Sequence, residues 1–515
     1  MCYNCALYVS IEYWFIRWKK ETILPQPKRF LIIEKEGTMT TSRYHEDMRY
    51  QPSEDWNSTP HHSLGYKMIN RTRKILCMFV ISVLTFFSTI IAAVWLDFSS
   101  AVSSRVVSVI SKDPEANQAL DINAGKPVTF LVLGQDSRDG NNQSFTHDGE
   151  TGDHQSDTTM VVQISADRSY MNIVSIPRDS MVDAPACDTT KGHIPARKHV
   201  MFNSIFALGY AQGGDLASAA SCSLKAVNSL TGLNIHHFIV ADFSGLSNMI
   251  DAVGGVSVCI PTATRDAYTG VNFKQGMQHL NGRLATQYAR MRHDTASDGS
   301  DIMRTTRQQY LIKQLLHQAM SKNLFTQTSE LYQLAKASLG SLNISEGLAN
   351  PTTLVGLALS MRKLDSSHIY ARTTPVIPDP YDPNRVVWSD EADNIWDLMR
   401  ENKPLSLNHK TNGTNKKNAN NSSKDTNDQD NEDTDDNSNI SENDKLNKTT
   451  NPKKMGRVDP KTGLIKNSQG QLIDPNTGGI VNPENGTIHD PQTGQYVGFA
   501  DKYANNVLCA VPRKK

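Results

Sequence analysis

Net charge is the first thing that this 515-residue sequence lacks. Its 53 lysines and arginines are balanced by 53 aspartates and glutamates, so the formal net charge is +0. Binding of nucleic acid through a whole-molecule field needs a basic excess, so any such case would have to be local. Residues 1–74 contain no basic stretch that reads as a recognition helix. We therefore expect no nucleic-acid partner.

Cysteine is scarce, and its placement does not favour metal or redox chemistry. Of the seven cysteines, Cys2 and Cys5 form a C-x-x-C pair that no second pair accompanies, so neither a zinc site nor a redox site is expected there. The sequence also lacks a G-x-S-x-G motif around Ser137 or Ser156. We interpret these two serines as turn or cap residues and not as nucleophiles.

Charge is absent from one long segment, Ile75 to Leu96, which reads ILCMFVISVLTFFSTIIAAVWL. At 1.5 Å per residue, about 22 helical residues span the roughly 30 Å of a bilayer core, so we predict a transmembrane helix over 75–96. Basic side chains precede the segment and an acidic one follows it: Lys67, Arg71, Arg73 and Lys74, then Asp97. The positive-inside rule places residues 1–74 in the cytoplasm, as a largely disordered segment, and the main domain outside the cell membrane.

The first residues do not read as a secretory signal, because the apolar stretch CALYVSIEYWFI precedes the basic residues. We expect translation to start at Met39 or at Met48. Four cysteines fall in the part predicted to lie outside the membrane: Cys187, Cys222, Cys259 and Cys509. An oxidising compartment would allow two disulfides among them, and the sequence leaves their pairing open.

Residues 126–325, after a linker over 97–125, alternate between short apolar runs and helical patterns. The runs are expected to be strands: Val128–Leu133, Met160–Ile164, Met171–Ile176, Phe238–Ala241, Val256–Ile260 and Tyr288–Met291. Apolar residues at helical spacing predict three helices: Asp215–Leu230, Phe243–Ala252 and Ile302–Asn323. This alternation predicts an α/β fold with a central mixed sheet flanked by helices on both faces.

Helical patterning continues over 326–405, where Ser389 resembles the N-cap of a last helix. Residues 406–456 are rich in Asn, Asp and Lys, cannot bury enough apolar surface to offset chain entropy, and are predicted to be disordered. Residues 457–515 repeat Asp-Pro-x-Thr-Gly at about 15-residue spacing. That motif is turn chemistry, with hairpin strands expected between the turns. We interpret the repeat as a spacer, with a small wall-facing module as the alternative.

Arginines are concentrated between Tyr288 and Gln309, in YARMRHDTASDGSDIMRTTRQQ. The cluster comprises Arg290, Arg292, Arg304 and Arg307, with the amide of Gln308 beside them. Guanidinium groups are always charged and bind phosphate oxygens in pairs, so the cluster indicates a phosphate site. The alternative is a solvated helix face with salt bridges. On a strand Arg290 and Arg292 would point to one side, and on a helix Arg304, Arg307 and Gln308 would share a face.

Three further motifs lie at predicted strand ends, where α/β sheets usually hold their ligands. They are VLGQDSR, SDTTM and SIPRD. Asp136 and Asp157 supply hard oxygen ligands of the kind that Mg²⁺ takes, together with water and substrate phosphate. Arg138 and Arg178 bring positive charge beside these two aspartates.

These motifs, with FNSIFALGYAQGG, DAVGGV, and RMRHD followed by RTTRQQ, resemble the LytR-CpsA-Psr proteins of Gram-positive bacteria in order and spacing. The resemblance covers about residues 126–320. The four outer cysteines and PYDPNRVVWSDEADNIW are similar to the actinobacterial branch. The resemblance implies a membrane-anchored phosphotransferase that moves a glycopolymer from a polyprenyl-pyrophosphate carrier onto peptidoglycan. Membrane lipid would be a further partner.

The resemblance also implies roles for the matched residues. Arg178, Arg290, Arg292 and Arg304 would grip the pyrophosphate, assisted by Gln308, and the polyprenyl tail would lie in an apolar tunnel. Asp136 and Asp157 would hold Mg²⁺ or Mn²⁺. The base that takes the proton from the acceptor hydroxyl is left open among Asp136, Asp157 and Asp179.

Two departures from the family pattern concern the site. The loop between Asp136 and Asp157 is longer than usual, and Gln155 stands where an arginine often precedes Ser-Asp-Thr. Arg138 or Arg307 could compensate for the missing arginine. Three other functions stay open: a non-catalytic regulator of the attenuator type, a wall-polymer-binding protein without turnover, and a hydrolase of the polyprenyl-pyrophosphate glycan.

Overall fold

The computed structural model describes residues 62–103, 105–121, 124–137, 142, 145, 154–296, 299–321, 336, 340–361, 364–405 and 457–510. The predictions about the translation start, about Arg138 and about disorder over 406–456 lie outside the described residues. The helices are α1 His62–Ser103, α2 Phe202–Gly213, α3 Leu216–Thr231, α4 Phe243–Val253, α5 Gly282–Arg290, α6 Asp301–Ser321, α7 Pro351–Ser360, α8 Glu391–Arg400 and α9 Asp501–Tyr503.

Helix α1 contains the predicted membrane segment. Its part Arg71–Ser100 is the one stretch among the described residues that is long and apolar enough to cross a membrane. The helix runs past the predicted end at Leu96, and the short strand β1, Val106–Val107, follows it. Residues 97–125 are therefore more than a linker, because β1 pairs in parallel with β14, Asn343–Ser345, and joins the central sheet.

The central sheet has seven strands in the order β1-β14-β9-β2-β3-β4-β15. Its remaining strands are β2 Val128–Asp136, β3 Gln155–Ile164, β4 Met171–Ile176, β9 His237–Ala241 and β15 Ile369–Thr373. The pairings β2–β3 and β3–β4 are antiparallel, whereas β2–β9 and β4–β15 are parallel. The predicted mixed sheet is thus confirmed, and all six residues of β4 are buried, including the polar Asn172 and Ser175.

Alternate residues of each strand face two different apolar layers. Leu131 and Leu133 of β2 pack in a layer that α2, α3 and α8 cover, with Trp396 fully buried in it. Phe130 and Val132, between them, contact the opposite layer, which α6 and α7 cover. This period of two is the geometry of a strand with both faces covered, and it confirms the predicted helices on both faces.

Shorter strands decorate this framework in antiparallel pairs. They are β5 Met181–Ala184 with β8 Arg197–Met201, β6 Cys187–Thr189 with β7 Gly192–Ile194, β10 Val256–Ile260 with β13 Gly276–Leu280, β11 Thr264–Asp266 with β12 Val271–Phe273, and β16 Val376–Pro378 with β17 Val386–Trp388. The disulfides are Cys187–Cys222 and Cys259–Cys509, which settles the pairing that the sequence left open.

One predicted strand and one predicted cap are wrong. Residues 288–290 belong to helix α5, and Met291 follows its end. The helix begins at an N-cap, because the Asn281 side chain accepts a hydrogen bond from the Leu284 main-chain N at 2.9 Å. Asn281 and Gly282 therefore start a helix, although an Asn-Gly pair is also a common signal for the turn of a hairpin. Ser389 does not cap α8, because that helix follows Asp390 and begins without a side-chain cap.

The repeat residues 457–510, here called the repeat module, form a five-stranded antiparallel sheet. Its strands are β18 Ile465–Lys466, β19 Leu472–Ile473, β20 Ile480–Val481, β21 Thr487–His489 and β22 Tyr496–Phe499. In each Asp-Pro turn the glycine has a positive φ, as in Gly478 at 73°, and its N–H donates to the aspartate carbonyl. The predicted hairpins are confirmed, and the spacer interpretation is wrong, because the module packs on α6 and is linked to β10 by Cys259–Cys509.

Candidate active site

Asp157 lies at the centre of a charged cluster at one end of the sheet. It is in β3, and Arg178 follows the end of β4, so the antiparallel pairing of these strands brings the two side chains together. Arg178 Nη1 donates to Asp157 Oδ1 at 2.7 Å. Two of the predicted site residues therefore form an ion pair where the strands end.

Arg304 of α6 reaches the same carboxylate. Its Nη1 lies 3.2 Å from Asp157 Oδ2, and its Nη2 donates to the Asp157 carbonyl oxygen at 3.0 Å. Burial raises the pKa of Asp157, but the charges of Arg304 and Arg178 outweigh this effect and hold the pKa below its usual value. Asp157 is consequently an anion that fixes two arginines in position.

Asp301, the first residue of α6, joins the cluster and is not among the predicted site residues. Its Oδ1 lies 2.6 Å from Arg304 Nη2 and 3.2 Å from Arg178 Nε. Burial raises the pKa of this carboxyl; Arg304 and Arg178 oppose the rise, and the nearby Asp179 and Asp157 add to it. The signal that could have found Asp301 is its place three residues before Arg304, the spacing of helical ion pairs.

Arg292 brings a third guanidinium group to the cluster. Its main-chain N donates to Asp266 Oδ2 at 3.1 Å, which fixes the backbone after α5. Within the part of the chain that the structure describes, its side chain has no ion pair, and its buried Nε has no hydrogen-bond partner. Burial lowers the pKa of Arg292, and so do the charges of Arg178 and Arg304. A cation held beside two others favours binding of an anion.

Arg290 is the last residue of helix α5 and does not belong to a strand. Its guanidinium group donates to the carbonyl oxygen of Phe145 and stacks on the ring of Phe243, 4.3 Å from the ring centroid. The expectation that Arg290 and Arg292 project to one side of a strand is therefore wrong. The guanidinium group of Arg290 is thus held between the Phe145 main chain and the Phe243 ring.

Arg307 and Gln308 support the loop that carries Arg292. Arg307 donates to the Met291 carbonyl oxygen at 2.7 Å and pairs with Asp294 at 2.8 Å. Gln308 accepts from Thr158 Oγ1 at 3.0 Å, and its Nε2 donates to the carbonyl oxygen of Ala289 at 3.2 Å. Both side chains thus tie α6 to the neighbouring elements.

Asp136 is the last residue of β2 and pairs with Gln155 of β3. Gln155 lies two positions before Asp157 in the same strand. The Gln155 side chain is held by a hydrogen bond, because its Oε1 accepts from Asn203 Nδ2 at 3.2 Å. Among the described residues, no group of three or more His, Cys, Asp or Glu side chains could hold a metal. Two carboxylates fit the smaller demand of Mg²⁺, which completes its shell with water and phosphate, although Asp157 already shares its oxygens with arginines.

Asp179 extends the cluster outward to the segment before β17. Arg385 Nη1 donates to Asp179 Oδ1 at 2.9 Å, and Arg178 Nε lies 3.7 Å from Asp179 Oδ2. Arg385 belongs to PYDPNRVVWSDEADNIW, a stretch that resembles the actinobacterial branch but was not predicted to reach the site. The fold brings it here because β16 and β17 follow the last strand of the sheet.

The fold and the site together define an α/β protein with a cluster of arginines and carboxylates at the strand ends, suited to a multiply charged phosphate. Residues 93–402 match the LytR_cpsA_psr family. The chain belongs to this family.

Curated relatives agree with this membership. The chain is 30% identical to the cell wall biosynthesis protein LcpA of Corynebacterium glutamicum, over 50% of this chain and 51% of LcpA. It is 28% identical to the probable cell wall biosynthesis protein LcpB of the same organism, over 54% and 62% of the two chains. A polyisoprenyl-teichoic acid–peptidoglycan teichoic acid transferase, TagU of Oceanobacillus iheyensis, is 29% identical, over 45% and 66%. The chain thus spans about half to two thirds of these relatives.

Solved structures of similar proteins include TagV of Bacillus subtilis and a LytR-Csp2A-Psr enzyme from Actinomyces oris. TagV is 21% identical with a TM-score of 0.41, covering 54% of this chain and 97% of TagV. The Actinomyces oris enzyme is 20% identical with a TM-score of 0.38, covering 57% of this chain and 93% of its own.

Proposed function

We propose that this protein is a membrane-anchored phosphotransferase that moves a glycopolymer from a polyprenyl-pyrophosphate carrier onto peptidoglycan. The observation that carries the proposal is the convergence of Arg178, Arg292 and Arg304 at the strand ends, with the Arg292 guanidinium group unpaired within the described residues. Phosphoryl transfer depends mainly on positioning and on neutralisation of charge, which such a cluster supplies. The name of the TagU relative, a teichoic acid transferase, agrees with it.

The reaction would proceed by one displacement at phosphorus. A hydroxyl oxygen of peptidoglycan forms a bond to the phosphorus that bears the glycan, and the bond from that phosphorus to the bridging oxygen breaks. Polyprenyl phosphate leaves, and Arg178, Arg292 and Arg304 offset the charge that develops on it. The hydroxyl proton passes to a carboxylate, for which Asp136, Asp157 and Asp179 remain the predicted acceptors. Arg304 and Arg178 hold the pKa of Asp157 below its usual value, which makes this carboxylate a weak base.

Mg²⁺ or Mn²⁺ belongs to the proposal as a ligand of Asp136 and Asp157. When bound, the ion would neutralise phosphate charge and so assist departure of the leaving group. Support comes from the donor set: two carboxylates on neighbouring strands, both at the end of the sheet where the arginines lie. Arg290 stays a predicted phosphate ligand, and the role of Arg138 remains a prediction as well.

The polyprenyl chain would lie in the apolar layer that α6 and α7 cover. This layer contains incompletely buried side chains beside its core, among them Phe130 and Val132 of β2 and Leu316 and Met320 of α6. Arg304 and these α6 residues belong to one helix, so a carrier could place its pyrophosphate at the arginines and its tail along the same element. The positive-inside rule supports an extracytoplasmic domain, where peptidoglycan is found.

The test supplies the purified full chain, in detergent, with a short-chain polyprenyl-pyrophosphate glycan, peptidoglycan fragments and Mg²⁺. Wild type should form the linked product, and Arg292→Gln should lower the rate about 10²- to 10³-fold, because one preorganised charge contact is lost. Arg265→Gln is the matched control: Arg265 is exposed in β11, and its loss should leave the rate unchanged. Arg290→Gln measures whether that residue acts at the phosphate.

Contrary outcomes are distinct. Equal rates for wild type and Arg292→Gln would remove the site assignment. Release of glycan phosphate without linkage would favour the hydrolase, and no reaction with any variant would favour a regulatory or polymer-binding protein. A chelator should abolish transfer, and calorimetric titration with Mg²⁺ should show binding that Asp136→Asn weakens; absence of that binding would reject the proposed metal site.

A further inference from the structure

A cleft separates the repeat module from the sheet domain. Its volume is about 740 Å³, within the range of roughly 300–1,000 Å³ that is usual for ligand sites. One wall consists of β15, the last strand of the central sheet, and the polar side of α6. The other wall consists of module turns and strand β22. The catalytic proposal uses none of these module residues.

Contacts between the two walls fix their relative position at one side of the cleft. Tyr310 of α6 donates from its hydroxyl group to Asn505 Oδ1 at 2.6 Å, and its ring meets that of Phe499 with centroids 5.1 Å apart. The disulfide Cys259–Cys509 ties the end of the module to β10. A ligand would therefore enter a cleft that is already formed, and would not have to order the module.

The lining combines primary amides with aromatic rings. The amides come from both walls: Gln314, Gln318, Asn476 and Asn506. Tyr370 and Phe499 add aromatic rings to the lining. Each amide both donates and accepts hydrogen bonds, which suits a ligand whose hydroxyl groups do the same. Ring faces suit the C–H surface of a sugar, so this lining has the chemistry of a saccharide site.

Arg372 of β15 brings a cation to the wall of the cleft. Gln309 fixes its main chain, because Gln309 Nε2 donates to the Arg372 carbonyl oxygen at 2.9 Å. Within the described residues, the guanidinium group forms no ion pair, and its buried Nε has no hydrogen-bond partner. Burial lowers the pKa of Arg372, and Asp474 and Glu391 oppose that effect. Buried polar groups are normally satisfied, so an unpartnered one at the wall of a cleft indicates a missing ligand.

Asp474 faces Arg372 from the module. Its residue is 8% exposed, and its Oδ2 accepts from the main-chain N and the hydroxyl group of Thr477, each at 2.8 Å. Burial raises the pKa of Asp474, and the charge of Arg372 counteracts the rise. The two side chains form no ion pair at 4 Å or less, and both line the cleft, one from each wall.

We propose that this cleft binds a saccharide chain, as a subsite of the proposed transferase, with Arg372 and Asp474 hydrogen-bonding its hydroxyl groups from opposite walls. The proposal rests on the proposed function for its ligand, either the peptidoglycan glycan strand or the transferred glycopolymer. Helix α6 connects the two sites, because Arg304 belongs to the arginine cluster and Gln314 to the cleft. At 1.5 Å rise per residue these positions are about 15 Å apart along the helix axis, a span that one oligosaccharide covers.

The test titrates the full chain in detergent, by calorimetry, with two probes free of polyprenyl carrier. One is a peptide-free peptidoglycan oligosaccharide, and the other is the glycopolymer released from its carrier. At least one probe should bind saturably, and Arg372→Gln should weaken that binding about tenfold or more, because a charge-assisted hydrogen bond is lost. Asp474→Asn, which keeps the side-chain volume, should weaken it several-fold, and the probe that binds identifies the source of the saccharide.

Asp490→Asn is the matched control. Asp490 makes the same turn contacts with Thr493 as Asp474 makes with Thr477, but it does not line the cleft. This variant should bind the probe as wild type does. Melting temperatures verify folding, and if Arg372→Gln does not fold, Asp474→Asn against Asp490→Asn decides the result.

Two results would overturn the inference: neither probe binds, or folded Arg372→Gln and Asp474→Asn bind as tightly as wild type. Either result can coexist with transfer by the wild type, in which case the proposed function stands and the cleft assignment fails. Conversely, saccharide binding that depends on Arg372, without transfer under any condition, would retain the site and reject the transferase.

Discussion

The imidazole of His237, the first residue of β9, is buried, and its Nδ1 has no hydrogen-bond partner among the described residues. A Cβ added at Gly347 would come within 2.4 Å of the ring, so the surrounding packing leaves no space for a compensating group there. Burial lowers the pKa of His237 from 6.5 to about 4, and the neighbouring His236 contributes. The folded protein therefore holds this side chain neutral.

A stability change with pH follows from that pKa. Between pH 6.5 and 4 the unfolded chain binds a proton that the folded chain does not, so the stabilisation is complete above pH 6.5 and is lost as the pH falls to 4. The free energy of unfolding should fall by about 3 kcal/mol as this group becomes protonated. Thermal unfolding at pH 7 and pH 4.5 should show a smaller difference for His237→Gln than for wild type. Equal differences for the two proteins would contradict the prediction.

Single residues show what the sequence could and could not predict about the site. The strand-end motifs SDTTM and SIPRD, together with the family resemblance of RTTRQQ, correctly predicted that Asp157, Arg178 and Arg304 lie together. The contacts of Arg290 could not be predicted in the same way. Side chains that share a direction recur about every 3.6 residues on a helix and every second residue on a strand, so a wrong assignment of the element gives the wrong direction. Asp301 was not predicted as a site residue, because an acidic residue at the start of a helix usually stabilises the helix through its dipole.

At the scale of elements, the buried strands were the most predictable parts. β4 was predicted with its observed bounds because a short, mostly apolar run with β-branched residues, closed by Pro177, has few alternatives to a buried strand. Helix α5 was mistaken because its N-cap, an Asn-Gly pair after β13, is also the commonest hairpin signal. The repeat module was underrated because its strands are only two to four residues long. Its stability depends on packing against α6, which local sequence does not reveal.

The disulfide Cys259–Cys509 should contribute strongly to the order of the module. It links residues 250 positions apart, and a loop of that length typically contributes about 3–5 kcal/mol when closed. In a Cys259→Ser/Cys509→Ser variant, hydrogen exchange should become faster in β18–β22 and stay slow in β4. Cys77→Ser is the control, since Cys77 is free and exposed. Unchanged exchange in the module would show that packing alone holds it.

For the whole molecule, membership of the family and the layered α/β architecture were accessible from sequence, because both depend on order and periodicity over many residues. The side of the membrane on which the domain lies remains a prediction. A reporter enzyme that is active only outside the cytoplasm, fused after residue 510, should be active. Replacing Arg71, Arg73 and Lys74 by glutamine should lower that activity, because the basic residues before the apolar segment set its orientation. An inactive reporter on the wild-type chain would contradict the assignment.

The bond between Cys259 and Cys509 also makes the chain a closed ring from β10 to the end of the module. A protease that cuts anywhere between residues 405 and 457 would open this ring without releasing a fragment. The two pieces would migrate together until a reductant separated them. The protein can therefore lose the continuity of its backbone before the repeat module and still keep that module attached to the sheet domain.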